Sequence, residues 1–214
     1  MNWFRIRKQK HFLSYYVLWL PFIAIYQVTN RFHIVEPKTL PLTWIDTAIP
    51  FIPWTIPIYV SYLVYTFVVV ARSSDDNELR IIFFLTHLQL VLSALFFILF
   101  PVTFPREQFY YTDPVTSLFN SFWLMFDAPA NCFPSLHTIL CLTAIRHSLG
   151  KPASWLYVSW GILIIISTLT CKQHYMVDLV AGAGIYLISV RLFTTYCSWR
   201  PGKIPEAPPS QMDQ

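Results

Sequence analysis

Long apolar runs separated by short polar stretches dominate the pattern of this chain. Six runs approach or exceed the roughly 18 to 20 residues that an α-helix needs to cross a hydrocarbon core of about 30 Å. They are residues 12–28, 55–71, 81–102, 135–149, 154–170 and 175–196. Lipid offers no hydrogen-bond partners, so each run must satisfy its own backbone as a helix. The pattern predicts an all-α polytopic membrane protein, a bundle of six transmembrane helices.

The composition agrees with this prediction and narrows the classes of partner. Hydrophobic residues make up 55% of the chain and charged residues 12%, which is far more apolar than a soluble domain. The net charge is +4, but no basic run carries interleaved aromatic residues, so a nucleic-acid partner is not expected. The cysteines show no C-x-x-C spacing, so a metal site is not expected either.

The chain divides into one membrane domain and a tail. Residues 1–200 are predicted to form a single membrane-embedded domain, with the candidate catalytic motifs within 101–178. The Pro-rich stretch 201–214 cannot bury enough apolar area to fold and is predicted to be disordered. The segment "LPLTWIDTAIPFIPW", residues 40–54, suits an interfacial or partly re-entrant segment that can form a lip over its neighbour.

The basic residues indicate how the chain lies in the membrane. With six spans, both termini and the loops after spans 2 and 4 share one side, which collects eleven of the fifteen basic residues. By the positive-inside rule that side is cytoplasmic. So little extramembrane chain suits a bacterial inner membrane, whereas in a eukaryote the opposite side would face an organelle lumen.

Polar residues from three distant segments emerge together on the non-cytoplasmic side. The segments are "FPVTFPR" at 100–106, "NCFPSLH" at 131–137 and "CKQHYMVD" at 171–178. Two of the four basic residues that break the positive-inside trend, Arg106 and Lys172, belong to this set. An anionic ligand on this side would need them there.

The histidines of this set form a candidate catalytic group. His174 and Asp178 are four residues apart and share a helix face, so the carboxylate can accept a hydrogen bond from one imidazole nitrogen. The other nitrogen then becomes the better nucleophile. His137, from another helix end, can protonate a leaving alkoxide and later activate water.

A phosphate-binding set lies beside these histidines. Arg106, Lys172 and the backbone N–H groups at the start of the fourth span would surround a tetrahedral anion. Phosphoryl transfer depends mainly on such charge stabilisation and on in-line positioning.

"PSLH" at 134–137 and the spacing of Ser167, His174 and Asp178 resemble the P-S-x-H and S-R-x5-H-x3-D motifs of the type 2 phosphatidic acid phosphatase superfamily. "NCFPSLH" with "KQHYMVD" looks most like its branch of inositol phosphorylceramide synthases and bacterial relatives. Two departures stand out. Thr168 occupies the arginine position of the last motif, and the first motif, K-x6-R-P, is kept only at Arg106.

The resemblance implies a role for each matching residue. His174 attacks phosphorus to give a phosphohistidine, Asp178 orients it, His137 serves the leaving group and Ser135 binds phosphate oxygens. Neither a metal ion nor another cofactor is used in this chemistry. Thr168 stands at the arginine position of the motif, and Lys172 is a candidate to replace that arginine.

Several activities remain open at this point. With water as acceptor the protein is a phosphatase on a phospholipid, an isoprenyl diphosphate or a glycolipid phosphate. With an alcohol such as inositol or ceramide as acceptor it is a phosphotransferase. A transporter or scaffold that binds a lipid phosphate without catalysis is the alternative from another class. Oligomeric state cannot be read from the sequence, while Cys132 and Cys171 both fall near the site, where a disulfide is chemically allowed.

Overall fold

Helices make up most of the part of the chain that the computed structural model describes, which is residues 20, 23–105, 114, 116–119, 121 and 130–199. The longer helices are 23–31 (α1), Trp44–Ala48 (α2), Ile56–Val60 (α3), Tyr62–Ala71 (α4), Asp76–Leu99 (α5), Leu136–Ser148 (α6), Ser154–Thr170 (α7) and Met176–Trp199 (α8). Residues 116–119 are also helical. Two short strands, Lys38–Thr39 (β1) and Val102–Thr103 (β2), pair in parallel, with Lys38 opposite Val102.

Within the described ranges, three helical stretches are long and apolar enough to cross a membrane: Pro53–Ala71, Asn77–Leu99 and Met176–Tyr196. The first joins a 3-10 turn, Pro53–Thr55, to α3 and α4. α7 is apolar but has 17 residues, and α6 has only 13. The apolar helices make this a membrane protein, and the count of six spans stays a prediction. Most of the predicted first span and the tail 201–214 lie outside the described residues.

Local sequence signals fix the ends of the helices that lead to and from the site. The Asp75 side chain accepts hydrogen bonds from the Asn77 and Glu78 N–H groups and so caps the start of α5. α5 ends at Leu99, just before Pro101, which cannot continue a helix. Ser135 caps α6 by accepting from the Thr138 N–H at 3.3 Å. The chain therefore leaves α5 and enters α6 beside the same polar region.

α6 is the central helix of the bundle, because it packs against α4, α5, α7 and α8. This surrounding explains how so short a helix buries polar residues. In the middle of the bundle the Gln89 amide donates to Thr143 Oγ1 at 2.9 Å and to Ser189 Oγ at 3.0 Å. All three side chains are almost fully buried. One satisfied polar cluster therefore joins α5, α6 and α8, and it fixes how these helices are rotated.

The predicted convergence of three segments is found at one end of the bundle. The Cys132 N–H donates to the Val102 carbonyl at 3.1 Å, and the Ser135 N–H donates to the Asp178 carbonyl at 3.0 Å. At the opposite end, Arg72 donates to the Pro152 carbonyl at 2.5 Å. This contact joins the loop between α4 and α5 to the loop between α6 and α7. The candidate catalytic residues lie at the other end of the bundle.

The segment 40–54 lies over the turn between α7 and α8. The Ile52 N–H donates to the Thr170 carbonyl at 2.8 Å, and the Leu40 N–H donates to the Tyr175 hydroxyl at 3.1 Å. The lip expected from the sequence is therefore bonded directly to the segment that carries His174.

Candidate active site

His174 and Asp178 form a hydrogen-bonded pair at the start of α8. His174 Nδ1 lies 3.2 Å from Asp178 Oδ2. The imidazole is 6% exposed and the carboxylate is fully buried, so water competes little for this contact. A carboxylate partner favours a proton on Nδ1, which makes Nε2 the ring nitrogen that carries the lone pair.

The two residues meet in a way that differs from the predicted shared helix face. α8 begins at Met176, so His174 lies in the preceding turn. Asp178 stands in the first helical turn and reaches back, where its Oδ2 also accepts from the Tyr175 N–H at 2.9 Å. One carboxylate oxygen therefore caps the helix and orients the histidine, which couples the position of the imidazole to the helix start.

His137 faces His174 from the first turn of α6. Its Nδ1 lies 3.3 Å from His174 Nε2, within hydrogen-bond reach. The bond from the Ser135 N–H to the Asp178 carbonyl, together with close packing at Gly182, holds the start of α6 against α8. A Cβ at Gly182 would lie 2.7 Å from the Ser135 carbonyl oxygen. Glycine thus permits the approach that brings the imidazoles together.

Two tyrosines that the sequence reading did not single out contact His137. The ring centroids of Tyr59 and Tyr62 lie 4.5 and 4.4 Å from that of His137. They come from α3 and α4, far from any of the motifs in the sequence. The Tyr59 ring lies at 33° to the plane of the imidazole, and the Tyr62 ring meets it at 70° in an edge arrangement. The two rings therefore border His137 closely.

Lys172 is held by the lip. Its Nζ donates to the Asp46 carbonyl at 2.7 Å and to the Ile49 carbonyl at 2.5 Å, and the side chain is buried. Its backbone is left-handed, with φ of 54°, which turns the chain sharply before His174. Burial lowers the pKa of the Lys172 ammonium below its ordinary value, although the nearby Asp46 carboxylate opposes the shift.

A small crevice beside His174 joins the lip to the candidate catalytic residues. Its lining is formed by Asp46, Ile49, Phe104, Leu169, Lys172 and His174. The imidazole of His174 and the ammonium of Lys172 therefore border one crevice.

The remaining predicted phosphate-binding residues have different outcomes. Ser135 is fully buried at the start of α6, two residues before His137. Its oxygen is used as the helix cap, and its hydroxyl hydrogen remains a donor. Arg106 lies outside the described residues. Thr168, at the arginine position of the family motif, supplies its carbonyl to the Gln173 and His174 N–H groups at 3.0 and 3.2 Å.

Other residues near the site take structural positions. No disulfide joins Cys132 and Cys171 in the described part of the chain. The Cys132 thiol contacts the Gln173 carbonyl at 3.6 Å, and the Cys171 thiol contacts the Thr168 carbonyl at 3.9 Å. Both thiols therefore pack against the turn that carries His174.

Comparison with known proteins identifies the family of this chain. The family model described as the PAP2 superfamily matches residues 25–192. An uncharacterised protein of Methanocaldococcus jannaschii is 40% identical to this chain over 62 residues, which are 28% of this chain and 26% of that protein. The chain thus spans about a quarter of the length of this curated relative. The family match includes every candidate site residue.

Proposed function

Since this chain belongs to the PAP2 superfamily, we propose that it is a membrane enzyme that removes phosphate from a lipid phosphate through a phosphohistidine on His174. The observation that carries the proposal is the relay of contacts through His174. One ring nitrogen, Nδ1, is hydrogen-bonded to Asp178, and the other, Nε2, faces His137. This is the order that a nucleophile, its orienting carboxylate and a proton donor require.

The first step transfers the phosphoryl group to the enzyme. The lone pair of His174 Nε2 forms a bond to phosphorus while the bond from phosphorus to the lipid oxygen breaks. Protonated His137 donates its proton to that oxygen, so the lipid leaves as a neutral alcohol. Asp178 stabilises the positive charge that develops on the His174 ring.

The second step releases phosphate. Neutral His137 accepts a proton from water as the water oxygen bonds to phosphorus. The bond between phosphorus and His174 breaks, its electron pair returns to Nε2, and inorganic phosphate departs. His137 is then protonated again, and the enzyme is restored.

The proposed phosphate contacts come from Lys172, Ser135 and Arg106. An ammonium has three N–H donors, and Lys172 gives two of them to the Asp46 and Ile49 carbonyls. The third is available to a phosphate oxygen in the crevice that Lys172 shares with His174. In the structure the imidazoles of His174 and His137 contact each other directly, so a bound phosphoryl group must separate them.

The acceptor decides between hydrolysis and transfer. Water gives a phosphatase, which we favour, and an alcohol such as inositol or ceramide gives the phosphotransferase reaction of the inositol phosphorylceramide synthase-like branch. We propose that either reaction proceeds without a metal ion, because His174 and the cationic groups supply the nucleophile and the charge stabilisation.

A panel of substrates tests the proposal. Purified protein in detergent, with metal chelated, is offered phosphatidate, phosphatidylglycerol phosphate, an isoprenyl diphosphate and a phosphorylated glycolipid, each with and without inositol. We expect phosphate release from at least one lipid, and head-group exchange if an alcohol is the acceptor. His174→Ala and His137→Ala should abolish turnover. His87→Ala is the matched control, because His87 Nδ1 bonds to the Phe83 carbonyl of its own helix.

Three results would contradict the proposal in different ways. Turnover that persists in both active-site variants means that the residues are wrongly assigned. Activity that a chelator abolishes means that a metal takes part. Tight binding of a lipid phosphate without turnover favours the non-catalytic transporter or scaffold.

We further propose that the active site faces the periplasm of a bacterial inner membrane, with both chain termini in the cytoplasm. The distribution of basic residues supports this orientation. A fluorescent protein fused after residue 214 should fluoresce, whereas a periplasmic alkaline phosphatase fused there should be inactive. The opposite pair of results would reverse the orientation.

A further inference from the structure

Asp46 is a buried carboxylate that lies beside the candidate site but belongs to none of its motifs. It sits in α2, within the lip 40–54, and is 5% exposed. An acidic side chain is almost never buried to this extent unless it is fully engaged by donors. Its contacts therefore indicate what it does.

The carboxylate of Asp46 ties the lip to the start of α8. Oδ1 accepts from the Met176 N–H at 2.7 Å, across 130 residues of sequence. Oδ2 accepts from the Thr43 N–H at 2.9 Å and from the Thr43 hydroxyl at 2.6 Å. The Met176 N–H is one of the first N–H groups of α8, which have no partner within the helix. Asp46 thus caps α8 from outside, beside the cap that Asp178 gives Tyr175.

The backbone of the same residue holds Lys172. The Asp46 carbonyl and the Ile49 carbonyl accept the two hydrogen bonds of the ammonium already described. Lys172 and His174 line the same crevice, and the ammonium has a third N–H besides these two bonds. Asp46 therefore touches the groups on both sides of His174: the lysine two residues before it and the helix start two residues after it.

We propose that Asp46 is a positioning residue that sets Lys172 and the start of α8 for phosphate binding and for attack by His174. The inference rests on the proposed function for its catalytic part, while its phosphate-binding part stands on the geometry of Lys172. Asp46 does not bind the phosphate itself, because both oxygens of its carboxylate already accept hydrogen bonds from Met176 and Thr43.

The charge of Asp46 is maintained by the same contacts. Burial alone would raise the pKa of its carboxyl group, but hydrogen bonds from Thr43 and Met176 and the Lys172 charge hold it below its ordinary value. Asp46 is therefore ionised at neutral pH. Its charge in turn favours the ammonium form of Lys172.

Asp46→Asn is the main test variant. The asparagine oxygen can still accept from the Met176 N–H, so the bond from the lip to α8 is kept while the charge is lost. The asparagine NH2 group cannot accept from the Thr43 N–H, so the variant also loses this bond within the lip. Thr47→Ala is the matched control in the same helix. The Thr47 side chain is exposed and bonds only to the Thr43 and Trp44 carbonyls among the described residues. Lys172→Met and the double variant Asp46→Asn with Lys172→Met complete a thermodynamic cycle.

The first readout is the affinity for inorganic phosphate, which phosphorus NMR measures on protein in detergent. Lys172→Met removes a charge-assisted contact to the phosphate and should weaken binding about tenfold or more. Asp46→Asn should also weaken binding, because the carboxylate charge that favours the ammonium form of Lys172 is lost. In the Lys172→Met background, Asp46→Asn should change phosphate affinity no further. Thr47→Ala should bind phosphate like the wild type.

The second readout is the pH dependence of phosphate binding. Asp46 and His174 are the ionisable side chains that line the crevice with Lys172 in the described part of the chain. Removing the Asp46 charge lowers the pKa of Lys172 further, so affinity should be lost at a lower alkaline pH in Asp46→Asn. If Asp46 had only a structural role, Asp46→Asn would lower thermal stability without changing the pH at which phosphate affinity is lost.

The outcomes separate this inference from the proposed function. If Asp46→Asn binds phosphate with wild-type affinity and an unchanged pH profile, Asp46 has no positioning role, whatever the enzyme does. If the wild type hydrolyses no lipid, the proposed function is wrong, and the phosphate-binding arm still decides the role of Asp46. Asp46→Asn, rather than Asp46→Ala, carries the test because it keeps the volume of the side chain and the bond to the Met176 N–H.

Discussion

Replacing Gly182 with alanine places a methyl group where α8 touches the start of α6. The added Cβ would lie 2.7 Å from the Ser135 carbonyl oxygen and 3.1 Å from Thr138 Cβ. The oxygen belongs to the backbone, so no side-chain rotation relieves the overlap. The start of α6 must move away from α8, and His137 moves with it.

Two opposing effects determine how much Gly182→Ala changes the unfolding free energy. Overpacking costs about 1–3 kcal/mol of unfolding free energy, and the higher helix propensity of alanine returns about 1 kcal/mol. The net loss is therefore about 0–2 kcal/mol. Catalysis is more sensitive, because displacing a catalytic group by about 1 Å can lower the rate about 100-fold. We expect kcat to fall about 10- to 100-fold while most of the stability remains.

The assay compares kcat and thermal unfolding in detergent for Gly182→Ala and Gly184→Ala. Gly184 lies two residues further along the same helix, and a Cβ there would meet no heavy atom within 4 Å. Gly184→Ala should keep wild-type activity and raise the unfolding free energy by up to about 1 kcal/mol, because no overlap opposes the higher helix propensity of alanine there. Wild-type kcat in Gly182→Ala, or an equal loss in both variants, would refute the link between helix approach and the histidine pair.

Three further predictions concern the core, the orienting carboxylate and pH. Gln89→Leu leaves the Thr143 hydroxyl without its amide partner, and it should lower the unfolding free energy in detergent by about 1–3 kcal/mol; an unchanged unfolding curve would contradict this. Asp178→Asn keeps the shape of the site but cannot hold the ring of His174 in the required tautomer, so kcat should fall about 100-fold or more; retained activity would remove Asp178 from the mechanism. Activity should fall at both acidic and alkaline pH, because one histidine acts neutral and the other protonated; a flat profile between about pH 5 and 9, with chemistry rate-limiting, would contradict that division.

Much of the candidate site was predictable because its signals are local or follow from topology. The spacing of His174 and Asp178 predicts their contact without any knowledge of the fold. The order of spans brings His137 to the same end of the bundle, and the structure places its Nδ1 within 3.3 Å of His174. The catalytic roles of these residues stay predictions.

The parts that were missed depend on contacts between distant segments. Asp46 is the single acid of the segment 40–54, and nothing near it in sequence indicates that it caps a helix 130 residues later. Tyr59 lies in an apolar helix, where an aromatic residue is ordinarily a core or lipid-facing residue. Its contact with His137 depends on the packing of α3 beside α6.

The helix boundaries likewise depend partly on local sequence and partly on contacts between distant segments. α7 runs from Ser154 to Thr170, as its apolar run predicts. α8 begins at Met176, because Asp178 and Asp46 cap it there and leave His174 in the turn. The cap from Asp178 is local and visible in the sequence, whereas the cap from Asp46 comes from the lip.

Trapping the covalent intermediate tests the central claim most directly. Wild-type protein is mixed with a radiolabelled lipid phosphate that it turns over, quenched in alkali within the first turnover, and digested for mass spectrometry. The account predicts an acid-labile, alkali-stable phosphoryl group on His174, which is absent from His174→Ala. Turnover with no labelled protein, or with the label on His137 instead, would contradict it.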